Sequence, residues 1–387
     1  MVAPAISFND LLKTKRTNMN VDEHLLTTSE PPSQITYVDN TSGTDTFMQD
    51  LVGHMKKVKE SATEVTNSGG LFKVKPASVW IEEAKIRPIP RMLFDHFWYE
   101  GELNILFADT NVGKSIVAVQ IGNSVSSGSP IQGFDLEAPA QKVLYFDFEL
   151  TDKQFEARYS SEFCNHYSFN PNFYRAEIDP YADFPNGHDG FERYLNDSLD
   201  IAIKETGAKV LIIDNITYLK NETEKAKDAL PLMKHLKALK SKYGLSILAL
   251  AHTPKRDPSK PLTRNDLQGS KMLINFCDSA FAIGESTHEQ IRYFKQIKAR
   301  NTEIKYGADN VCLCQINKPD NFLQFEFISY SSERKHLKEM TEKEIDNINE
   351  RVLELKKAGR SLREIGSELG ISHMKVSRIL KETPKTQ

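Results

Sequence analysis

Residues 108–115, Ala108-Asp109-Thr110-Asn111-Val112-Gly113-Lys114-Ser115, set a glycine, a lysine and a hydroxyl side by side, the residue types that bind phosphate. A loop of this kind turns successive backbone N–H groups onto phosphate oxygens. A helix that starts behind it adds the positive end of its dipole. In that arrangement Lys114 reaches the β- and γ-phosphates of a nucleotide, and the Ser115 hydroxyl ligates Mg²⁺. Ile116 opens the apolar face of a helix expected over 116–126, so the expected nucleotide contacts run over 108–116. Ala108 stands where such loops usually begin with glycine, and it meets the need for a small residue there.

Two further runs end in carboxylates. Val210-Leu211-Ile212-Ile213-Asp214 is an apolar strand closed by an Asp, which beside a phosphate loop orients Mg²⁺ and its waters. In Val143-Leu144-Tyr145-Phe146-Asp147-Phe148-Glu149-Leu150, Glu149 falls where the strand emerges at the same sheet edge as Lys114. A carboxylate there polarises the water that attacks a γ-phosphate. Asp147, two residues back and deeper in the strand, competes for the role. Glu149 also reads as an ordinary helix N-terminal carboxylate ahead of Thr151-Asp152.

These groups meet only if their strands run parallel. The runs 103–108, 143–148, 210–214, 246–251 and 279–283 are short and rich in Val, Ile, Leu or Phe, without strict polar alternation. That is the signature of strands buried on both faces. Their alternation with helical segments implies a doubly wound α/β domain, whose ligands sit at the carboxyl ends of the strands. The later runs 291–298, 311–315 and 322–328 alternate more and carry charges, as antiparallel strands at the sheet's edge do.

The 387 residues suffice for two to three folding units, with 39% hydrophobic and 27% charged residues. A net charge of −3 gives no overall attraction to nucleic acid, so any such site has to be a local basic patch. Cys164, Cys277, Cys312 and Cys314 form no Cys-x-x-Cys pair and read as reduced, mostly buried thiols; Cys312 and Cys314 are expected on opposite faces of their strand. No apolar run approaches membrane-spanning length and no signal-peptide pattern opens the chain, so a cytoplasmic protein is expected. Three regions are expected: a flexible polar arm over 1–75, with a short amphipathic helix near 47–58; an α/β domain over 76–335; and a small all-α domain over 336–387.

The strand Ser246-Ile247-Leu248-Ala249-Leu250-Ala251-His252-Thr253 ends on a histidine. A proline-punctuated basic stretch follows, carrying Lys255, Arg256, Lys260, Arg264 and Lys271 and too long for a simple connection. Farther on, Lys295-Gln296-Ile297-Lys298-Ala299-Arg300-Asn301 ends another strand on two cations. With the phosphate loop, the YFDFEL run and the Asp-ended strand, residues 95–330 resemble the RecA-like ATPases, especially the DnaB-type and RepA-type hexameric helicases and their KaiC and RadA relatives. The resemblance implies a RecA-like, mostly parallel sheet flanked by helices, with ATP and Mg²⁺ as cofactors. It also implies that Glu149 is the catalytic base and that His252 senses the γ-phosphate and passes its state to DNA-binding loops. By the same resemblance, the stretch bearing Lys255, Arg256, Lys260, Arg264 and Lys271 faces a central pore and grips the DNA backbone, a sequence-independent and salt-sensitive contact. Arg300, with Lys298 as its companion, becomes a finger placed in the neighbour's ATP site, which makes the active unit a homo-oligomeric ring or filament. Taken alone, the same residues fit a structural histidine, a solvated charged loop and a basic edge strand.

The tail is helical over 341–381 and locally basic. Ser361 and Ser372 are suited to cap helices, Gly370 to turn between them, and Gly366 to let them cross closely. Ile365, Leu369, Ile371, Val376, Ile379 and Leu380 are spaced to fill one small core. The segment resembles the helix-turn-helix of resolvases. That resemblance puts His373, Lys375, Ser377 and Arg378 on the DNA-reading helix, with Arg351, Lys356, Lys357, Arg360 and Arg363 near for phosphates. A three-helix protein-docking module fits the same pattern. Three functions follow: a DNA motor or helicase of a plasmid, phage or other mobile element; an ATP-controlled DNA-bound regulator or mobilisation protein; and a recombination mediator similar to RadA, although the zinc-binding cysteines of that family are absent.

Overall fold

The run 103–108 is apolar except for Asn104, whose amide donates to the Phe97 carbonyl, because both of its faces are covered. Leu103, Ile105 and Phe107 enter one core layer, and Leu106 and Ala108 enter the other. The computed structural model of the chain describes residues 72–179, 181–182, 191–219, 229–254, 256–267, 270–339, 342–369 and 371–382. The arm and the helix expected near 47–58 lie outside the described residues. Two compact units are distinguished, Met1–Pro88 and Ile89–Gln387. In the first, α1 (Ala77–Lys85) follows Pro76, whose carbonyl accepts from the Val79 N–H.

The second unit opens with a hairpin, β1 (Met92–Phe94) and β2 (Trp98–Tyr99), followed by β3 (Leu103–Ala108) and α2 (Lys114–Ser127). Next come β4 (Val143–Asp147), α3 (Asp152–Arg158), the short pair β5 (Ser160–Ser161) and β6 (Asn165–His166), β7 (Phe173–Ala176) and α4 (Phe191–Thr206). Then β8 (Val210–Asp214), α5 (Ala229–Tyr243), β9 (Ser246–His252), α6 (Ser270–Phe276) and β10 (Ser279–Glu285) complete the alternating part. Finally β11 (Ile291–Lys298), β12 (Val311–Asn317) and β13 (Gln324–Ser331) fold back as a meander.

Among the described residues these strands form one nine-stranded sheet in the order β13-β12-β11-β10-β3-β9-β8-β4-β7. The six from β10 to β7 are parallel and β11 to β13 antiparallel, as their patterning predicts. One face is covered by Leu199 and Ile203 of α4, Leu232, Met233, Leu236 and Leu239 of α5, and Leu273 of α6. The other face packs on Val117, Ala118, Ile121 and Val125 of α2 and on Phe94, Phe97 and Trp98 of the hairpin. Each such side chain contributes about 1.5–3 kcal/mol on burial, which fixes the sheet as the rigid base of the site.

The expected strand over 322–328 instead begins at Gln324, because Asn317 pairs with Gln324 and residues 318–323 make the turn. Cys312 and Cys314 both enter the layer that covers α2, whereas Leu313 packs on the opposite one. This corrects the expectation of opposite faces, since side chains alternate with a period of two and residues i and i+2 share a face. All four cysteines are free thiols and only Cys164 is exposed. No helix among the described residues is long and apolar enough to cross a membrane.

In the tail, α7 (Glu342–Lys357), α8 (Leu362–Leu369) and α9 (His373–Glu382) enclose Val352, Leu355, Ile365, Val376 and Ile379. Ser361 and Glu364 cap α8 reciprocally: Ser361 Oγ accepts from the Glu364 N–H at 3.3 Å, and Glu364 Oε2 accepts from the Ser361 N–H at 2.8 Å. Ser372 Oγ accepts from the Lys375 N–H at 3.1 Å. A Cβ on Gly366 would lie 2.7 Å from the Ile371 carbonyl oxygen, so the close crossing needs glycine. Gly370 lies outside the described residues.

Ile365 is fully buried in a core this small, so Ile365→Ala is expected to destabilise the three-helix unit by about 2–5 kcal/mol. Amide hydrogen exchange should then accelerate across 342–382 and stay unchanged in β3. Equal acceleration in both places would contradict a self-contained tail core.

Candidate active site

The sheet register delivers the site. Ala108 at the end of β3 pairs with His252 at the end of β9, and Asp147 at the end of β4 pairs with Asp214 at the end of β8. The loop leaving β3 passes through Asn111 at φ 61° and Gly113 at φ 107° before α2 begins at Lys114. Gly113 is required for its backbone conformation and for space. A Cβ there would sit 2.8 Å from the Phe325 ring and 2.9 Å from Ile316. The antiparallel strands therefore back the loop. The Gln120 side chain ties α2 to them, donating to the Phe325 carbonyl and accepting from its N–H, both at 2.9 Å.

Lys114 is buried and its ammonium is lodged inside the loop. It donates to the carbonyls of Ala108 at 3.1 Å and Asp109 at 2.8 Å, and to Nδ1 of His252 at 3.2 Å. Burial lowers its pKa, opposed by the nearby carboxylates of Asp214, Glu149 and Asp109. Because an ammonium only donates, His252 Nδ1 accepts, while Nε2 also lies 3.0 Å from the Asn215 amide nitrogen. Nε2 faces Glu149 Oε1 at 3.4 Å, and the Asn215 amide donates to the same oxygen. These contacts lower the pKa of Glu149, His252 first, with burial opposing, so Glu149 is a carboxylate at neutral pH.

Asp214 is fully buried. One oxygen, Oδ2, accepts from the Tyr145 hydroxyl at 2.8 Å. The other, Oδ1, has no hydrogen-bond partner of normal geometry, although Ser115 stands beside the carboxylate. Burial pushes the Asp214 pKa up to about 6; Ser115 and Tyr145 lower it, and Glu149 and Asp147 add to the rise.

Asp147 and Glu149 stand in different surroundings. Asp147 is buried and committed: Oδ2 pairs with Arg175 Nε at 3.0 Å, and Oδ1 accepts from the N–H groups of Glu149 at 3.2 Å and Leu150 at 3.0 Å. Glu149 lies beyond the strand and faces Lys114 and His252. It takes no part in the cap of α3, which Thr151 and Gln154 make between themselves.

Residues 72–258 match the family described as AAA domain. No curated protein matches the chain. Among solved structures, that of a KaiC-like protein from the hyperthermophilic archaeon Pyrococcus horikoshii is similar to 62% of this chain and 100% of its own, at 13% identity and a TM-score of 0.43.

The phosphate-loop motif implies ATP and Mg²⁺, and the residues at this end of the sheet would fit both. The loop 108–116 and Lys114 would hold the phosphates. The orphaned, buried Asp214 Oδ1 beside the Ser115 hydroxyl is the acceptor pair a hard cation needs. When bound, Mg²⁺ offsets the negative charge that develops on the phosphates.

Other sequence-derived candidates lie away from these groups. Lys298 pairs with Ala280, which lies beside Ile105 near the start of β3, so it is at the sheet end opposite the ATPase loop. Its ammonium is held by the carbonyls of Ile274 and Cys277 at the end of α6. Arg300 is half-exposed, donating to the Asn275 carbonyl at 3.0 Å and facing Asp278 at 3.5 Å. Arg256 is largely buried, its Nε 3.8 Å from Asp266 Oδ1, and it donates to the Lys260 carbonyl. Lys260 pairs with Asp257 at 3.6 Å, and Arg264 is exposed, with Nε 3.4 Å from the Ile297 carbonyl. Lys255 and the Lys271 side chain lie outside the described residues. On α9, His373 and Arg378 are exposed, and Lys375 and Ser377 half-buried.

Three residues that contact these groups were not foreseen. Tyr145 was signalled by its place two residues before Asp147, on the same strand face. Asn215 was signalled by its place directly after Asp214. Arg175 sits in a short edge strand with no apolar periodicity to mark it.

The pH dependence of the ATPase site follows from Asp214. Its folded pKa of about 6 exceeds the ordinary 3.8, so the folded state binds more protons than the unfolded chain between those values. Stability from this group is present below pH 3.8 and is lost as pH rises through about 6. Mg²⁺ needs the carboxylate, so Mg²⁺-dependent nucleotide affinity should rise over the same window. Asp214→Asn is expected to flatten that rise and to increase the thermal stability of the nucleotide-free protein at pH 8; titration with a fluorescent nucleotide and thermal melts at pH 5–8 check both.

Proposed function

We propose that the chain is an ATP-hydrolysing DNA-binding motor, a RepA-like replicative helicase or replication protein of a plasmid, phage or mobile element. The carrying observation is the division of its chemistry between two ends of one sheet. Lys114, Glu149, Asp214 and His252 converge at the carboxyl ends of the parallel strands. Lys298 and Arg300 stand at the opposite end, at least ~10 Å away along β3 alone. One chain does not bring its own Arg300 to its own phosphates, which supports a homo-oligomeric ring or filament in which Arg300 completes a neighbour's site, with Lys298 fixing the strand end that bears it.

In this motor Glu149, held ionised by His252 and Asn215, accepts the proton of the attacking water. Lys114 leaves the loop carbonyls for the phosphates. His252, bonded to both Lys114 and Glu149, reports the state of the γ-phosphate to the segment 253–267. DNA is gripped by that segment and by the tail, in which 336–387 acts as a helix-turn-helix with His373, Lys375, Ser377 and Arg378 toward bases and phosphates, beside an ATPase region over 76–335 and an N-terminal arm. A second reading, an ATP-controlled DNA-bound regulator or mobilisation protein without unwinding activity, is favoured by the tail having its own core and caps.

Steady-state hydrolysis of Mg²⁺-ATP with and without single- and double-stranded DNA, followed by unwinding of a forked duplex, separates the two. DNA-stimulated turnover is expected, falling at least ~10²-fold in Lys114→Ala and roughly 10³-fold or more in Arg300→Ala. Mixing Arg300→Ala with Glu149→Gln subunits should restore some turnover, because each supplies what the other lacks. Turnover without unwinding selects the regulator. A monomer that hydrolyses ATP at full rate after Arg300→Ala would rule out the shared site.

A further inference from the structure

Arg175, on the edge strand β7, commits two of its three guanidinium nitrogens to the turn that presents Glu149. In the parallel pairing of β4 and β7 it lies beside Tyr145, so its side chain shares the face of Tyr145 and Asp147. Nε donates to Asp147 Oδ2 at 3.0 Å, and Nη2 to the Leu150 carbonyl at 2.7 Å. Nη1 donates to Asp152 Oδ1 at 2.8 Å and stands 3.3 Å from Glu177. Its carbon centre lies over the Phe155 ring, 4.9 Å from the centroid, a cation–π contact beside the hydrogen bonds. Asp147, the first of these partners, holds the N–H groups of Glu149 and Leu150 through its other oxygen.

We propose that Arg175 is a positioning residue for ATP hydrolysis: through Asp147 and the Leu150 carbonyl it staples the turn 147–150 from both sides and fixes where the Glu149 carboxylate points. The inference rests on reading Glu149 as the base. Glu149 itself is only part-buried and hangs from a turn beyond the end of β4, so the strand alone does not orient it. His252 and Asn215 hold its carboxylate, and the Arg175–Asp147 pair holds its backbone. A base displaced by about 1 Å loses on the order of 10²-fold in rate while the phosphate cradle, built from β3 and α2, is untouched. Lysine keeps the charge but not the fork, so it restores the Asp147 pair and not the bond to Leu150 as well.

The test uses the full chain with Mg²⁺-ATP, measuring kcat, KM and the affinity for a fluorescent non-hydrolysable ATP analogue. Variants are Arg175→Ala, Arg175→Lys, Asp147→Asn, Glu149→Gln and the double Arg175→Ala/Glu149→Gln. We expect Arg175→Ala to lose about 30- to 100-fold in kcat with analogue affinity within threefold. Arg175→Lys should recover part of the loss, and Asp147→Asn should fall between it and Arg175→Ala. The double variant should be no slower than Glu149→Gln, since residues acting as one unit are not additive. Loss of kcat and affinity together in both Arg175 variants would make Arg175 a folding residue and overturn the proposal, as would a wild-type kcat in Arg175→Ala. Full turnover in Glu149→Gln would instead remove the base reading beneath it.

Discussion

In-register parallel pairing of β3, β9, β8 and β4 is the constraint on which the candidate site depends. It sets Ala108 beside His252 and Asp147 beside Asp214, so four loops from distant parts of the chain leave the sheet along one edge. A slip of one residue in any strand would turn its terminal side chain to the other face. The register is held by two apolar layers that take alternate residues of each strand, which makes a slip expensive over the whole core. The rigid edge lets short side chains such as Ser115, Asp214 and Asn215 act without flexible reach.

The charges at that edge are compensated in pairs, and the exceptions are informative. Asp147 is satisfied by Arg175 and two backbone N–H groups, and Lys114 by two carbonyls and His252. Removing one member of such a buried pair typically costs about 3–5 kcal/mol, so these contacts hold geometry as well as energy. Asp214 Oδ1 keeps an unmet acceptor beside the Ser115 hydroxyl, and the Thr253 hydroxyl next to His252 is also buried without a partner. The Lys114–His252–Glu149 chain of contacts joins an ammonium inside the loop to a carboxylate through one imidazole, so a displacement of the lysine changes the hydrogen bonding of the carboxylate.

The basic segment after β9 is less open than its composition suggests. Lys295 and Glu333 form a buried pair that grips both backbone groups of Leu262, the ammonium donating to its carbonyl at 2.7 Å and the carboxylate accepting its N–H at 2.8 Å. Arg256 folds against Asp266, while Arg264 remains exposed. A loop anchored in this way moves as a body with β11, not as a free tether. The tail is independently built, with reciprocal caps at Ser361 and Glu364 and a core that no residue of the sheet enters.

The sequence alone determined the parallel sheet, its antiparallel edge, the phosphate loop and the tail's core. Each is written as local pattern: runs buried on both faces, alternation, a Gly-Lys-Ser between strand and helix, caps and helical spacing. Lys114, Asp214, Glu149 and His252 were legible because each sits at or just beyond the end of a patterned strand. Only the tertiary structure shows that Asp147 is committed to Arg175, which lies 28 positions away in a strand without periodicity, while Glu149 is not. It alone turned Arg256 inward, put Lys298 on the carbonyls of α6, set Cys312 and Cys314 on one face, and left Asp214 Oδ1 without a partner. Pattern reports which face of an element is buried. Partner identity depends on which distant elements that face meets, and this is fixed only when the sheet order closes.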